Sequence, residues 1–332
     1  MIRVSVVVPT FNRLGRLKEV IAALERQEYP CEQFEVVVVS DGSTDGTHGY
    51  LETLKSPLQL NAVTQANQGP AAARNEGIRQ AHGEYVLFID DDVIPSPRLI
   101  AEHMLMHAEQ PNLVVLGPML NPENFPMSPW VAWEQAMLYK QYEAMARGDW
   151  PPTARQFYTG NTSLARRFLL EAGGFDERFR RAEDVELAYR IERYGVRFVF
   201  NPQAIGYHYA ERSFSSWLNT PYAYGRNDVI FSNRGHGGLM GAIREEFAYR
   251  NLFTRMLVQQ CLDRPLLSRG VIRMLKLLAD SAHQLGRSNI TRAGYSAIFN
   301  LRYYQGVADE MGGRKLFFAT FTTDTASTIA KP

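Results

Sequence analysis

Apolar residues follow two rhythms over the first hundred positions. Ile2–Val8 and Phe34–Val39 are nearly continuous apolar runs, the texture of strands buried on both faces. Between them Leu17, Val20, Ile21 and Leu24 keep the i, i+3, i+4, i+7 spacing of a helix. A short helix follows with Tyr50, Leu51 and Leu54, then a weaker third strand at Leu60–Thr64. Pro70–Ala81 reads as a helix, with proline at its start and Gly83 just past its end. Tyr85–Ile89 is the fourth strand. This βαβαβαβ series predicts a mainly parallel sheet with right-handed crossovers. In the commonest order, 3-2-1-4, strands one and four are neighbours where the winding reverses. Ligands bind there, outside the carboxyl ends of the strands.

Further along, Ser96-Pro97 and Ser128-Pro129 each carry the cap-and-proline start of a helix, the second bearing Trp130, Trp133, Met137 and Leu138. Residues 147–155 read as a loop, Phe157–Thr159 as a strand and Ser163–Ala172 as a helix ended by Gly173-Gly174. Glu183–Tyr194 is a further helix, and Val196–Phe200 and Ala204–Tyr209 are strands around Asn201-Pro202. From about Ser213 strand signals fade, and helices are expected over Glu245–Leu262, Pro265–Leu285 and Thr291–Met311. The Thr- and Ser-rich Thr320–Pro332 reads as a frayed end. A boundary near residue 212 divides an α/β domain, 1–212, from a helical extension, 213–332.

Composition narrows the classes. With Lys+Arg 36 against Asp+Glu 35 the net charge is +1, so the electrostatic reason to expect a nucleic-acid partner is missing. Two cysteines, Cys31 and Cys261, build neither a disulfide framework nor a thiolate zinc site, and fit a reducing compartment. The longest apolar runs fall far short of the about 20 residues of a bilayer helix. The chain enters a strand at once, leaving no room for a signal peptide, so a cytoplasmic protein is expected.

The polar ends of three strands aim at one crevice: Pro9-Thr10-Phe11-Asn12-Arg13, Asp41-Gly42-Ser43 and Asp90-Asp91-Asp92. Adjacent carboxylates repel unless a cation lies between them. A turn can direct Asp90 and Asp92 to one hard cation, Mg²⁺ or Mn²⁺, which shares its oxygen ligands with substrate phosphates. Asp41 either closes a βα turn or accepts from a nucleotide base. The small-residue helix start Gly69-Pro70-Ala71-Ala72-Ala73-Arg74 suits close backbone approach to a phosphate, or close helix–sheet packing with Arg74 in a structural ion pair. Glu183-Asp184 at a helix start complements the dipole, and beside a metal–diphosphate site becomes a general-base candidate.

Taken together, Val6-Val7-Val8-Pro9-Thr10-Phe11-Asn12-Arg13, Val39-Ser40-Asp41-Gly42-Ser43-Thr44-Asp45, Ala73-Arg74-Asn75-Glu76-Gly77, Phe88-Ile89-Asp90-Asp91-Asp92 and Gly174-Phe175-Asp176-Glu177 with Glu183-Asp184 resemble the family 2 glycosyltransferases of the GT-A fold. The resemblance covers about residues 2–212. It implies a Rossmann-like α/β domain and inverting transfer from a nucleotide-diphosphate sugar, a UDP-sugar favoured, to a glycan or lipid-linked hydroxyl. It implies donor contacts at Pro9, Thr10, Asn12, Arg13, Asp41, Arg74, Asp90 and Asp91. It places the metal, Mn²⁺ or Mg²⁺, on Asp92 with Asp90 and His208, and the base at Asp184. Two other readings compete. A sugar-1-phosphate nucleotidyltransferase would need a Gly-rich basic loop where Pro9–Arg13 stands, and an inactive binding module would tolerate loss of Asp92 or Asp184.

The segment after 212 is expected to handle the acceptor, with Arg212–Trp217 as a loop that orders over bound donor. Trp130, Trp133, Trp150 and Trp217 are stacking or core candidates. Residues 265–285 set Leu267, Val271, Met274, Leu275 and Leu278 against Arg269, Arg273 and Lys276, a pattern for peripheral contact with an anionic membrane or for a core-facing helix.

Overall fold

The computed structural model describes residues 2–179, 181–235 and 238–322, and the chain divides into two compact units. The first comprises residues up to 126 together with 135–210. Its elements are β1 (Val4–Thr10), α1 (Leu14–Leu24), β2 (Phe34–Asp41), α2 (Thr47–Thr53), β3 (Gln59–Gln65), α3 (Pro70–Gln80), β4 (Tyr85–Ile89), β5 (Val93–Pro95), α4 (Leu99–Glu109), β6 (Leu113–Leu116), β7 (Met119–Leu120), α5 (Pro129–Arg147, whose first turns belong to the second unit), β8 (Asn161–Ala165), α6 (Arg166–Glu171), α7 (Glu183–Glu192), β9 (Arg197–Phe200) and β10 (Gly206–His208). Seven strands form one sheet in the order β3-β2-β1-β4-β8-β6-β9. The expected run 3-2-1-4 is present, with β1 parallel to both β2 and β4. Val36 to Val39 are fully buried, which is why β2 shows no alternation. On the sheet edge β3 alternates between exposed and half-buried positions, and its sequence signal is correspondingly weak. A second sheet, β5-β10-β7, runs antiparallel between β5 and β10.

Two expectations in this unit need correction. The strand falls at Asn161–Ala165 instead of Phe157–Thr159, pairing antiparallel with β4 and β6, and the helix begins only at Arg166. Asn161-Thr162-Ser163 has the look of a helix cap, yet these side chains are fully buried. Asn161 Oδ1 lies 2.9 Å from His103 Nε2. Ser163 Oγ lies 2.8 Å from His103 Nδ1 and 2.7 Å from His107 Nε2. Partners supplied by α4 make polar strand residues tolerable in the core. Burial holds His103 down to about 4 and His107 down to about 3, so both imidazoles are neutral.

The second unit comprises residues 127–134 and those from 211 onward: α8 (Phe214–Asn233), α9 (Leu239–Tyr249), α10 (Leu252–Cys261), α11 (Pro265–Gln284), α12 (Ser288–Glu310) and α13 (Arg314–Thr322). The helix expected over Glu245–Leu262 is broken in two, because Asn251 accepts from Thr254 N at 2.8 Å and starts a new helix. Arg212–Trp217 is no loop. Ser213 caps α8 through Ser216 N at 3.2 Å, and Trp217 is fully buried against Trp133, Phe214, Tyr295 and Phe299. Trp133 and Trp217 are therefore core residues, Trp130 donates to Arg212 O at 3.0 Å, and Trp150, in the first unit, is exposed. α8 and α12 meet backbone to backbone: a Cβ at Gly225 would stand 2.0 Å from Tyr303 O, and one at Gly306 2.0 Å from Tyr222 O. The Thr- and Ser-rich end beyond residue 322 lies outside the described residues. Among the described residues no helix is long and apolar enough to cross a membrane.

Candidate active site

All of the anticipated site residues lie in the first unit, at the carboxyl ends of β1, β2 and β4, in the first turns of α3, at the start of α7 and on β10. The loops after β1 and β2 are stitched together. Asn12, in the left-handed region at φ 53°, accepts at Oδ1 from Thr44 N at 2.7 Å and donates its own N–H to Ser43 Oγ at 3.0 Å. Leu14 N donates to Asp45 Oδ2 at 2.9 Å. Pro9 is half-buried just before, and Thr10 is buried. Asp41, also buried, accepts from Gln65 Nε2 at 2.7 Å, Gln68 N at 2.9 Å and Gly69 N at 2.8 Å. Three of the roughly four acceptor positions of its carboxylate are thus spent on the end of β3 and the loop that leads from it into α3. The turn after it requires glycine: Gly42 has φ +78° and a Cβ there would sit 2.8 Å from Asn67 N.

The acidic triplet fans out. Asp91 accepts from Thr10 Oγ1 at 2.7 Å and pairs with Arg13 Nη1 at 3.3 Å. Burial nevertheless pushes its carboxyl up to about 6, against the pull of Arg13. Asp92 Oδ2 pairs with Arg13, while Oδ1 lies 3.7 Å from His208 Nε2. Burial opposes the Asp92 charge, but the His208 contact and the Arg13 guanidinium outweigh it and hold the carboxyl well below its usual range. His208 reaches this place through strand pairing: β10 lies antiparallel to β5 with His208 opposite Val93, and Tyr209 N donates to Asp92 O at 2.9 Å. Gln135 Nε2 is 3.3 Å from His208 Nδ1. Asp90 turns the other way, accepting from Arg74 Nη2 at 2.7 Å. The structure thus brings Asp92 and His208 together and leaves Asp90 with Arg74. Among the described residues no three His, Cys, Asp or Glu side chains gather into a ready metal cage.

Arg74 is buried and carries two ion pairs, to Asp90 and, through Nη1, to Glu183 Oε1 at 2.9 Å. One guanidinium on α3 therefore ties the end of β4 to the start of α7. The neighbouring Asn75 latches the segment leading into α7. Its Nδ2 donates to Phe175 O at 3.0 Å and Glu177 Oε1 at 2.9 Å, and its Oδ1 accepts from Phe175 N at 2.7 Å. Gly174, at φ +75°, makes room for that latch, since a Cβ would lie 2.5 Å from Asn75 Oδ1. Sequence reasoning missed Asn75 and Glu183 as organisers. Their only signal was Asn75 standing beside Arg74, and a double glycine before Phe175. With Glu183 held by Arg74, Asp184 accepts, among the described residues, from Val185 N, 2.8 Å from its Oδ1. Burial, and next the Glu183 charge, raise the Asp184 carboxyl well above the ordinary aspartate range. A carboxyl tuned upward in this way suits proton abstraction near neutral pH.

Comparison with known proteins follows the same lines. The family model for glycosyl transferase family 2 matches residues 5–174. A validoxylamine A glucosyltransferase of Streptomyces hygroscopicus subsp. jinggangensis is 33% identical over 230 residues, 61% of this chain and 54% of the relative. The hyaluronan synthase of Pasteurella multocida is 28% identical over 237 residues, 61% of this chain and 24% of that protein. The chain thus spans about half, or less, of the length of these relatives. Among solved structures, the mannosyltransferase PcManGT from Pyrobaculum calidifontis, in complex with GDP-Man and Mn²⁺, superposes with a TM-score of 0.60 at 21% identity, covering 91% of this chain and 86% of that one. Staphylococcus aureus TarS 1–349 in complex with UDP-GlcNAc gives 0.58 at 19% identity, covering 92% and 90%. At these identities the likeness is one of fold.

Proposed function

This chain belongs to glycosyltransferase family 2 and has the GT-A fold, and from that premise we propose a glycosyltransferase that carries out inverting transfer from a nucleotide-diphosphate sugar, UDP-linked by preference, to a hydroxyl of a glycan or lipid-linked acceptor. The observation that carries this reading is the Arg74 tie, which holds the Glu183-Asp184 helix start against the Asp90-Asp91-Asp92 strand end. A base candidate and a diphosphate-binding edge are therefore neighbours.

In this reading Asp184 takes the proton of the acceptor hydroxyl as its oxygen attacks the anomeric carbon. The bond from that carbon to the diphosphate breaks, and the nucleoside diphosphate leaves with the electron pair. Single displacement requires no protein nucleophile. The loops stitched by Asn12, Asp41 and Asp45 form the floor for the nucleotide, with Pro9 and Thr10 beside them. Asp92 and His208 supply an oxygen and a nitrogen donor 3.7 Å apart, a set that fits Mn²⁺ or Mg²⁺ sharing its remaining positions with diphosphate oxygens. Arg13, now paired with Asp92, marks where positive charge is wanted. A bound divalent ion there would offset the negative charge that builds on the leaving diphosphate. The nucleotide-sugar and Mn²⁺ complexes of TarS and PcManGT support the donor class and the metal. The second unit is assigned to the acceptor or to a membrane surface, the latter through residues 265–285 at the cytoplasmic face.

A panel of nucleotide sugars with Mn²⁺, read as acceptor-dependent release of nucleoside diphosphate and as the anomeric configuration of the product by NMR, tests this. Release with inversion is expected for one donor. Product with retained configuration would exclude the single displacement.

A further inference from the structure

The second unit holds a cavity of about 780 Å³, lined from α8, α11, α12 and the turn before α11. That is the size of a small-molecule site. Five of its side chains are cations: Arg264, Arg269, Arg273, Lys276 and Arg302. Among the described residues the lining acids are Asp263 and Asp309, both of which already serve other donors, while Lys276 pairs with Asp280 at 2.5 Å. Asp263 Oδ2 accepts from Arg314 N at 2.8 Å, and Asp309 Oδ2 accepts from Tyr222 OH at 2.8 Å. Arg302 is half-buried and donates to neutral acceptors, Leu218 O at 3.2 Å and Gln305 Oε1 at 2.8 Å. Burial lowers its guanidinium from the ordinary value, against the pull of Tyr222 and Asp309. Four of the five cations are arginines, whose planar forks match phosphate oxygens.

A second feature says what carries the phosphate. Arg269, Arg273 and Lys276 follow i, i+4, i+7 spacing along one stripe of α11. The buried side of that helix is Ser268, Ile272, Leu275, Ala279 and Ala282. Next to the basic stripe runs an exposed apolar one, with Leu266 77%, Met274 53%, Leu277 68% and Leu278 56% exposed. Water-facing leucines beside arginines suit an anionic bilayer, where side chains of the first kind enter the acyl boundary and those of the second meet head groups.

We infer that this cavity is a phosphate site for anionic phospholipid: a head-group phosphate enters among Arg269, Arg273 and Arg302 while the α11 leucines rest in the outer hydrocarbon. The inference rests on the reading of residues 265–285 as a membrane surface and names the chemistry they meet. No step of sugar transfer enters into it.

The test is flotation of the full chain with vesicles of phosphatidylcholine alone or mixed with phosphatidylglycerol. Binding should require phosphatidylglycerol, and inorganic phosphate should release the protein better than sodium chloride of equal ionic strength. Arg269→Ala with Arg273→Ala should weaken binding about thirtyfold at an unchanged melting temperature, since both side chains are exposed. Leu277→Ser with Leu278→Ser should also lose the anionic vesicles. Equal binding to both vesicle types, or phosphate no better than chloride, overturns the phosphate site while the membrane surface stands. Binding to neither overturns both.

Discussion

Replacing Arg74 with methionine isolates the tie on which the proposed site depends. The variant keeps the length and apolar stem of the side chain and removes the guanidinium. Asp90 then loses its bond at 2.7 Å and Glu183 its bond at 2.9 Å, and Asp184, already raised by burial and by Glu183, stands next in the chain. Removing one partner of a buried pair typically costs about 3–5 kcal/mol, because the remaining charge is left uncompensated. For a unit of this size about 2–4 °C corresponds to 1 kcal/mol, so the first unit should melt about 6–20 °C lower at pH 8.

The sign of the pH dependence follows. In the variant Asp184, already raised by burial and by Glu183, also loses the Arg74 charge that pulls it down, so its folded pKa stands further above its unfolded one. Its protonated form contributes stability that is fully present below the unfolded pKa and lost as pH rises through the folded one. The deficit should therefore be largest at pH 8 and shrink toward pH 5. Adding Glu183→Gln to Arg74→Met should recover part of the loss, since one of the stranded charges is gone. Differential scanning calorimetry of the four proteins of this cycle, at both pH values, gives the answer. An Arg74→Met protein melting within about 2–4 °C of wild type at pH 8, or a deficit independent of pH, would refute the argument.

Asp184→Asn should cut turnover by about 10²–10⁴-fold. Because the folded carboxyl is raised, its ionised form costs stability at alkaline pH. The same variant should melt at or above wild type at pH 8, so a lower melting temperature there counts against the electrostatic account. Wild-type turnover should fall on the acid side at a pH above the ordinary aspartate range, read from initial rates across a buffer series. Chelation should abolish transfer, Mn²⁺ or Mg²⁺ should restore it, and Asp92→Asn should lose more activity than Asp91→Asn, whose carboxylate is held by Thr10 and Arg13. Gly225→Ala puts a methyl 2.0 Å from a backbone oxygen that no rotamer change can move, so the second unit should lose about 1–3 kcal/mol or more, seen as faster proteolysis of α8–α13.

The parallel half of the sheet was readable because burial on both faces of β1, β2 and β4 writes itself as nearly continuous apolar runs rich in valine. The antiparallel strand β8 was not, for a physical reason. Asn161 and Ser163 are buried among distant partners: His103 and His107, 56 to 60 residues away, and for Asn161 also the carbonyls of Pro118 and Ala204. Local pattern carries no trace of them. The start of α8 failed differently: the serines of Arg212–Trp217 look mobile, yet one of them is a helix cap and the aromatics are core.

The proposed site divides along the same line. Strand ends can be placed once the strands are, so Asp41 and the Asp90–Asp92 triplet were legible as crevice residues. The choice of Asp184 over Glu183 as the base rested on the family resemblance, since the residues themselves say only that adjacent helical positions point about 100° apart. The structure adds the missing partner from 109 residues away. Arg74 takes the Glu183 carboxylate into a buried ion pair and with it the freedom to act on a substrate proton. Among the described residues Asp184 accepts from the amide of Val185, and its carboxyl is raised. A base must be unpaired enough to accept a proton and basic enough to hold it. In the proposed mechanism Asp184 meets both conditions, and Glu183, by neutralising Arg74 and repelling its neighbour, helps to create them.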